Sequence, residues 1–312
     1  MTVPEIVRRR AERLGAAGER WLAALPETVA GLEGEWGFVA GEPLAGASTG
    51  VVLRVRRLDG TAAVLKLEVP DDEFGDGQAR TLAAAGGNGY ALLLAEDRAR
   101  RALLLEALGA PLVAAGMPVE AQVDLLGGLL LRCWRVPLPA GVTPEQVADK
   151  AVSLAALVAR LWPALGRPCS GRVVDLALEY AERRRRASSV GAAVVVHGDP
   201  HPGNALRVLT PRPGAVGGHV FVDPDGFVAD PAYDAGVVLR DWCTEILAAG
   251  RADAVPRARR LCHLVADRVR LDPRAVWEWG FVERVTTGLF LLDLGAPDAA
   301  RPFLETAELL AA

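Results

Sequence analysis

Several features that would place this chain in other classes of protein are scarce or missing from its sequence. It has four cysteines among 312 residues, and these lie far apart without a C-x-x-C pair. Such spacing is typical of reduced, mostly buried thiols. No segment approaches the ~18 uninterrupted apolar residues of a membrane span, and the first residues lack the apolar core of a signal peptide. We therefore expect a cytoplasmic protein that does not associate with membranes.

A strong excess of charge of one sign is also lacking. The 35 basic residues stand against 39 acidic ones, which leaves a formal net charge of −4. This balance argues against a general nucleic-acid-binding protein and permits a cationic ligand. The chain is 51% hydrophobic and 24% charged, so a disordered chain is not expected. We expect a monomer that binds no nucleic acid.

The hydrophobic pattern divides the chain into three regions. Residues 1–33 are predicted to form an N-terminal helical extension, because apolar residues recur there at helical spacing. Residues 34–110 read as a small lobe of alternating strands with one helix, and residues 111–312 read as a larger, mainly helical lobe. The chain is long enough for two lobes with separate cores. The fold class that this pattern predicts is α+β.

Short strands and long helices are expected at definite places within these regions. One helix is predicted over 5–32, and a strand pair meets at the tight turn Asp59-Gly60. Another helix is predicted over 233–249. Three short strands interrupt the helical region, at 193–197, 205–209 and 219–223.

The stretch "HGDPHPGN" concentrates special residues between two of these strands. Asp199 and Asn204 are separated by four residues, which is the spacing of a protein-kinase catalytic loop. There a carboxylate accepts the proton of the attacking hydroxyl and a nearby amide oxygen holds a metal ion. Two alternatives stay open: a tight turn stabilised by its own side chains, and a metallohydrolase site with His197, Asp199 and His201 as ligands.

Two further positions follow the order found in kinases. Asp223 ends a β run in "HVFVDPDGFVADPAYD", where phosphoryl-transfer enzymes place a Mg²⁺ ligand. Asp225 could be a second metal ligand or a turn residue. Lys66 lies within the strand "AAVLKLEV" in a chain that otherwise uses arginine almost throughout, and a strand lysine in a kinase contacts the nucleotide phosphates. An edge-strand lysine that reaches water is the alternative.

These motifs stand in an order that resembles the aminoglycoside phosphotransferases, and within them the streptomycin 6-phosphotransferase and hydroxyurea phosphotransferase group. The matching segments are "GERWLAALPETV", "LDGTAAVLKLEVP", "ALLLEALG", "VVHGDPHPGNAL", "FVDPDGFVADPAYD" and "ERVTTGLFLLDLG". The resemblance implies a bilobal protein-kinase-like α+β fold, with a β-rich N-lobe and a helical C-lobe. It also implies an ATP-dependent and Mg²⁺-dependent transfer of the γ-phosphoryl group to a hydroxyl of a small cationic molecule.

The resemblance assigns roles to individual residues. Asp199 would be the catalytic base, and Lys66 would contact the α- and β-phosphates. Asn204 and Asp223 would hold Mg²⁺ between the phosphates of ATP. Backbone groups near Glu106 and Leu108 would meet the adenine edge, while Asp230 and Asp234 would brace the loop and cap the following helix.

The chain departs from the family pattern at two places. A glycine-rich nucleotide loop is absent, so "LAGASTGVVLRV", with Ser48 and Thr49, would have to supply the phosphate donors. The usual helix glutamate that pairs with the strand lysine is replaced by Gln78, unless Glu73 takes that role. A neutral partner would orient Lys66 less strongly, so a nucleotide-binding pseudokinase remains an alternative.

The resemblance is compatible with more than one phosphate acceptor. Streptomycin is the first candidate, and its guanidinium groups would suit carboxylates, which fork-shaped donors bind in pairs. The alternatives are hydroxyurea and a neutral, sugar-like metabolite. Four acidic residues of the helical region are expected to line the acceptor site: Asp241, Glu278, Glu283 and Asp293.

Overall fold

The computed structural model describes residues 3–44, 49–71 and 77–312. It divides the chain into two compact units. The first unit comprises Met1–Gly109 and Arg207–Val220, and the second comprises Ala110–Leu206 and Phe221–Ala312. The first division falls between Gly109 and Ala110. The N-terminal helical region belongs to the first unit, and so does the segment Arg207–Val220.

The N-terminal region forms two helices rather than the single one expected over 5–32. Helix α1 spans Glu5–Arg13 and α2 spans Ala16–Trp36. The break falls at Gly15, whose φ of 57° is a left-handed conformation that glycine adopts easily. Val7, Ala11, Leu25 and Leu32 share one hydrophobic core with the strands that follow. A helix with an apolar face must bury it, and these two helices bury theirs against the sheet of the first unit.

Five antiparallel strands form the sheet of the first unit, with helix α3 at Gly77–Ala85. The order in the sheet is β1-β2-β3-β5-β4. Strands β2 and β3 meet at the expected turn, where Asp59 Oδ1 accepts hydrogen bonds from the backbone and the hydroxyl of Thr61. The sequence pattern does not predict strand β1, because its sequence "FVAGEP" contains residues that are rare in strands. The strand bounds are Phe38–Pro43 (β1), Gly50–Arg57 (β2), Ala62–Glu68 (β3), Leu93–Asp97 (β4) and Ala102–Glu106 (β5).

Five short strands follow in the remainder of the chain. They are β6 (Leu108–Pro111), β7 (Val194–Val195), β8 (Ala205–Val208), β9 (His219–Phe221) and β10 (Val228–Ala229). Strand β7 pairs with β10, and β8 lies between β6 and β9. The strands flanking "HGDPHPGN" therefore belong to different sheets. This separation leaves the intervening residues as a loop anchored at both ends.

The second unit is mainly helical. Its helices are α4 (Val119–Cys133), α5 (Pro144–Ala164), α6 (Gly171–Ala187), α7 (Pro231–Arg240), α8 (Cys243–Ala248), α9 (Ala254–Val269), α10 (Pro273–Asp293) and α11 (Pro297–Ala311). A core formed by buried side chains such as Val158, Val173, Phe281 and Leu304 joins α5, α6, α10 and α11. Within the described ranges, none of the helices is both long enough and apolar enough to cross a bilayer. All four cysteines are buried free thiols, as expected.

The helix predicted over 233–249 is interrupted between α7 and α8. The final carbonyl groups of α7 are bonded by side chains, since Arg284 donates to Leu239 O at 2.8 Å and the Cys243 thiol donates to Arg240 O at 3.2 Å. Side chains that satisfy the last carbonyls of a helix allow it to end there. The interruption places Arg240 and Asp241 at the end of α7.

Candidate active site

The loop between β7 and β8 is built around His197, which is fully buried. Its Nδ1 accepts the Asp199 backbone N–H at 3.1 Å, so the proton is on Nε2, which donates to Val222 O at 3.0 Å. Burial lowers the pKa of His197 to about 4, which keeps the ring neutral. His197 thus braces the loop. Both of its ring nitrogens form hydrogen bonds within the protein, whereas a metal ligand needs one of them for the ion.

Gly198 and Asp234 hold the same loop from two other directions. Gly198 has a φ of 96°, and a Cβ atom there would lie 2.4 Å from Asp225 Oδ2, so only glycine fits. Asp234 is fully buried and accepts hydrogen bonds from the His197 N–H at 2.8 Å, the Gly198 N–H at 2.9 Å and Trp134 Nε1 at 2.9 Å. Burial raises the pKa of Asp234 to about 6, although these donors oppose the rise. The expectation that Asp234 braces the loop is confirmed.

Asp199 is the one carboxylate of the loop, and 40% of its side chain is exposed. Its Oδ1 accepts a hydrogen bond from an Arg240 NH2 group at 2.8 Å. Its Oδ2 lies 3.5 Å from His201 Nε2. Burial by itself would raise the pKa of Asp199, but the Arg240 guanidinium and His201 hold it below its ordinary value. Asp199 is therefore an ionised, oriented carboxylate that a ligand can reach.

Asn204 and Asp223 are brought together by the backbone. The Val222 N–H donates to Asn204 O at 2.9 Å, so Asp223 follows directly from a residue paired with Asn204. The Asn204 amide nitrogen donates to Asp199 O at 3.0 Å, which leaves its amide oxygen as the acceptor facing away from that bond. Asp223 has a φ of 54°, an uncommon conformation for a residue other than glycine that is found at functional sites.

An amide oxygen and a carboxylate are hard oxygen ligands of the kind that Mg²⁺ uses, with nucleotide phosphates and waters completing its shell. The paired positions of Asn204 and Asp223 fit such an ion. By contrast, among the residues that the structure describes, no group of three or more His, Cys, Asp or Glu side chains is arranged to hold a metal. The described residues therefore give the metallohydrolase alternative no ligand set.

Asp225 packs against the loop rather than beside Asn204. Its backbone N–H donates to His197 O at 2.7 Å, and its carboxylate occupies the space over Gly198. Burial raises the pKa of Asp225 to about 7, and the positive charge of Lys150 opposes that rise. The turn role of Asp225 is visible in these contacts, whereas its role as a second metal ligand stays a prediction.

Arg240, which the sequence did not point to, organises the acidic side chains around Asp199. Its guanidinium lies 2.8 Å from Asp199 Oδ1, 2.8 Å from Asp241 Oδ1 and 3.4 Å from Glu283 Oε2. Burial opposes its charge, but the carboxylates of Asp241, Asp199 and Glu283 raise the pKa of Arg240 well above its ordinary value. The only signal in the sequence was its position next to Asp241. Two of the four acids expected at the acceptor site, Asp241 and Glu283, are therefore close to Asp199.

The other two acids expected at the acceptor site are placed elsewhere. Glu278 is 1% exposed and forms ion pairs with Arg183, Arg184 and Arg274, so its charge is compensated within the protein. Asp293 is an exposed residue at the end of α10. It lies ten residues after Glu283, or about 15 Å along the helix axis. A helix of this length cannot present all three acids to one small ligand.

In the first unit, Lys66 is 3% exposed and lies in β3, which pairs with both β2 and β5. It is therefore not on an edge strand. Its Nζ donates to Gln78 Oε1 at 2.7 Å and lies 3.3 Å from Glu68 Oε1. The structure thus brings Lys66 and Gln78 together, and it adds Glu68, a partner on the same strand that sequence reasoning missed. Glu73, the other proposed partner, lies outside the described residues.

Besides Lys66, four residues of the first unit are expected near the nucleotide, and the structure describes three of them. Ser48 is not among the described residues, and Thr49, directly before β2, accepts the Val69 N–H through its carbonyl at 3.1 Å. Glu106 ends β5, and its carboxylate accepts the Leu92 N–H at 2.8 Å and pairs with Arg212. The backbone N–H of Glu106 also donates to Leu92 O at 3.0 Å. The contact of nearby backbone groups with adenine stays a prediction. Leu108 begins β6.

The chain matches one family of known proteins and is similar to several of its members. The family described as aminoglycoside/hydroxyurea antibiotic resistance kinase matches residues 35–295. The chain is 29% identical to streptomycin 6-kinase from Streptomyces glaucescens over 92% of this chain and 89% of that protein. It is 32% identical to hydroxyurea phosphotransferase from Kitasatospora aureofaciens over 70% of this chain and 62% of that protein.

A solved structure is similar in fold. Choline kinase from Cryptosporidium parvum matches with a TM-score of 0.58 at 12% identity, over 92% of this chain and 93% of that chain. At such low identity the likeness shows the fold alone. The kinase-like α+β fold expected from the sequence is confirmed.

Proposed function

Because the chain belongs to the aminoglycoside/hydroxyurea antibiotic resistance kinase family, we propose that it transfers the γ-phosphoryl group of ATP to a hydroxyl of a small cationic molecule, with streptomycin as the first candidate. As a member of that family, it is a phosphotransferase with an alcohol group as acceptor. The observation that carries the proposal is the exposed and ionised Asp199, held in place by Arg240 at 2.8 Å. A loop needed only as a turn would not require its carboxylate to be oriented by a buried guanidinium.

Asp199 is the catalytic base of this reaction. Arg240 binds its Oδ1, so Oδ2 is the oxygen that accepts a hydrogen bond, and then the proton, from the acceptor hydroxyl. A protein catalyses phosphoryl transfer mainly by positioning the reactants and by electrostatic stabilisation, and Asp199 contributes the positioning of the hydroxyl. The lowered pKa of Asp199 keeps it ionised at neutral pH, as a base must be.

Asn204 and Asp223 are the residues that hold Mg²⁺ with the nucleotide. When bound, the ion neutralises charge on the phosphates. The backbone contact between Val222 and Asn204 keeps the two ligand side chains together. Two observations support this role: both side chains carry oxygen ligands suited to Mg²⁺, and Asp223 directly follows the residue that pairs with Asn204.

Lys66 contacts the α- and β-phosphates in this proposal. The pseudokinase alternative arose because Gln78 is neutral. Glu68, 3.3 Å from the Lys66 ammonium, supplies a negative charge in the same strand. Lys66 therefore keeps both a hydrogen-bond partner and an ionic partner, and this favours an active kinase.

A second candidate function, phosphorylation of hydroxyurea or of a neutral metabolite, is favoured by one observation. The carboxylates of Asp241 and Glu283 already share the Arg240 guanidinium. Acids that are neutralised within the protein attract a cationic acceptor less strongly. We place streptomycin first because of the similarity to streptomycin 6-kinase over most of both chains.

The experiment that tests the proposal is an assay of ATP consumption with streptomycin, other aminoglycosides, hydroxyurea and neutral sugars, with phosphorylated products identified by mass spectrometry. Asp199→Ala should lower kcat by about 10²–10⁴-fold, the usual contribution of a positioned base, while nucleotide binding persists. A matched control is Asp293→Ala, which removes an exposed carboxylate from the same unit. Full turnover by the Asp199 variant would refute the proposed mechanism.

A further inference from the structure

Lys150 is a second unusual lysine, and the proposed mechanism does not use it. It is one of two lysines among the 35 basic residues, and it projects from α5 in the second unit. Its Nζ lies 5.1 Å from the centre of the Phe227 ring and 5.3 Å from the centre of the Tyr233 ring. An ammonium held over two aromatic faces is stabilised by cation–π attraction, so the position of this charge is defined.

The aromatic contacts leave the hydrogen-bonding capacity of Lys150 unused. In the part of the chain that the structure describes, no carboxylate lies within ion-pair distance of its Nζ. A lysine ammonium has three N–H donors, and a donor shielded from water without a partner is costly. Lys150 is half-buried. Its donors are therefore available to a ligand that carries oxygen atoms.

A chain of contacts connects this ammonium with the catalytic base. The hydroxyl of Tyr233, whose ring lies under Lys150, donates to Glu283 Oε1 at 2.6 Å. The other oxygen of Glu283 lies 3.4 Å from Arg240, which binds Asp199. All of these residues belong to the second unit.

A second set of contacts leads to the same loop. Phe227, the other ring under Lys150, follows two residues after Asp225, whose backbone N–H donates to His197 O at 2.7 Å. The charge of Lys150 also acts on the Asp225 carboxyl group. Lys150 is thus connected with the catalytic loop through both of the rings that it contacts.

The two cations near Asp199 differ in what they can still bind. Arg240 directs its guanidinium towards three carboxylates, so its donors are used within the protein. Lys150 has no such partners among the described residues. A cationic group of the acceptor placed beside Lys150 would be repelled by it, whereas a hydroxyl or carbonyl oxygen would accept its hydrogen bond.

We propose that Lys150 is a specificity-determining residue of the acceptor site, where its ammonium donates a hydrogen bond to a hydroxyl or carbonyl oxygen of the acceptor. This proposal rests on the proposed function and adds to it which part of the acceptor faces the catalytic loop. An oxygen-bearing edge lies beside Lys150, and any ammonium or guanidinium group of the acceptor points elsewhere.

The test compares Lys150→Met, which removes the charge and keeps the length, with Lys150→Arg, which keeps the charge over the two rings. Arg160→Met is the matched control, because Arg160 is exposed on the same helix. KM and kcat are measured for ATP and for whichever of streptomycin and hydroxyurea the parent phosphorylates. Binding of both compounds without ATP is measured by calorimetry, and thermal melting verifies that each variant is folded.

We expect Lys150→Met to raise the acceptor KM and the calorimetric Kd by about 10–100-fold, the effect of losing a hydrogen bond to a charged donor. The KM for ATP should stay within about twofold, Lys150→Arg should recover most of the loss, and Arg160→Met should behave as the parent does. An unchanged or lower acceptor KM in a folded Lys150→Met, or an equal rise in the KM for ATP, would overturn the assignment.

Other results would contradict the proposed function rather than the assignment of Lys150. A parent protein that phosphorylates neither compound contradicts the phosphotransferase assignment to these acceptors, and calorimetry then decides on Lys150 alone. If a compound binds to the parent and binds more weakly to Lys150→Met, the assignment of Lys150 to the ligand site is supported. If neither compound binds to the parent, both proposals are wrong.

Discussion

Arg240 and Asp199 lie 41 residues apart in the chain, yet an Arg240 NH2 group donates to Asp199 Oδ1 at 2.8 Å. The same guanidinium contacts Asp241 and Glu283. One buried cation thus orients the proposed base and neutralises two neighbouring acids. The position of Arg240 at the end of α7 makes this possible, because the helix stops there instead of continuing as its sequence pattern predicted.

Replacement of Arg240 is expected to affect both stability and the pH dependence of activity. Arg240→Met leaves three carboxylates without their shared cation, which should lower the free energy of unfolding by on the order of 3 kcal/mol. Arg240 holds the pKa of Asp199 below its ordinary value, so its loss should move the acidic limb of the kcat/KM profile to higher pH. Arg240→Lys, which keeps the charge, should fall between the variant and the parent.

The sign of the stability effect follows from the same pKa. A carboxylate whose pKa is lowered by folding stabilises the protein above its unfolded pKa, about 3.9 for an aspartate, and this contribution is lost as the pH falls through the folded value. The parent should therefore lose its advantage over Arg240→Met in acid. Urea unfolding at a series of pH values measures the difference, and an advantage that grows as the pH falls would contradict the role given to Arg240.

The assignment of Asp223 as a metal ligand predicts a specific loss. Asp223→Asn removes one anionic oxygen from the site, so ATP should bind more weakly in the presence of Mg²⁺. Calorimetry with and without Mg²⁺ separates this effect from a general loss of nucleotide affinity. Asp298→Asn, which changes a carboxylate that is 91% exposed, is the control. Equal Mg²⁺-dependent affinity in Asp223→Asn and the parent would remove Asp223 from the site.

The partners of Lys66 predict an order of severity among variants. Lys66→Ala should strongly reduce kcat/KM for ATP, whereas Gln78→Ala should cost little because Glu68 still lies 3.3 Å from the ammonium. The double variant Gln78→Ala, Glu68→Gln should approach Lys66→Ala. Glu73→Ala tests the remaining partner in the same assay. If Gln78→Ala alone is as damaging as Lys66→Ala, Glu68 does not support the lysine.

The acidic residues predict different outcomes for a cationic acceptor. Asp241→Asn should raise the KM for streptomycin several-fold and leave the KM for ATP nearly unchanged, because Asp241 lies beside Arg240 and Asp199. Asp293→Asn should have no effect, since that carboxylate is exposed at the far end of α10. Steady-state kinetics of both variants measures the KM for streptomycin and the KM for ATP. An equal effect of the two substitutions would show that the acceptor is bound by the general charge of the protein.

Local features of this protein could be predicted from its sequence because they depend on neighbouring residues. The turn at Asp59-Gly60, the strand around Lys66, and the start of α7 after Asp230 all follow from residues within a few positions. Asp230 caps that helix by accepting the Ala232 N–H at 2.9 Å, which is a role that the family resemblance implied. The spacing of Asp199 and Asn204 could be read from the sequence for the same reason, because both residues lie in one loop.

Contacts between distant residues were decided by the tertiary structure. Glu278 and Glu283 are both acids of α10, but only packing shows that arginines of α6 occupy Glu278 while Glu283 faces Arg240. Periodicity describes which face of a helix is buried and says nothing of what covers a buried charge. A buried charge needs a partner, and which cation supplies it depends on how elements far apart in the chain pack together. For that reason the sequence determined the fold and the loop that carries Asp199 and Asn204, whereas the surroundings of Asp199 emerged only from the tertiary structure.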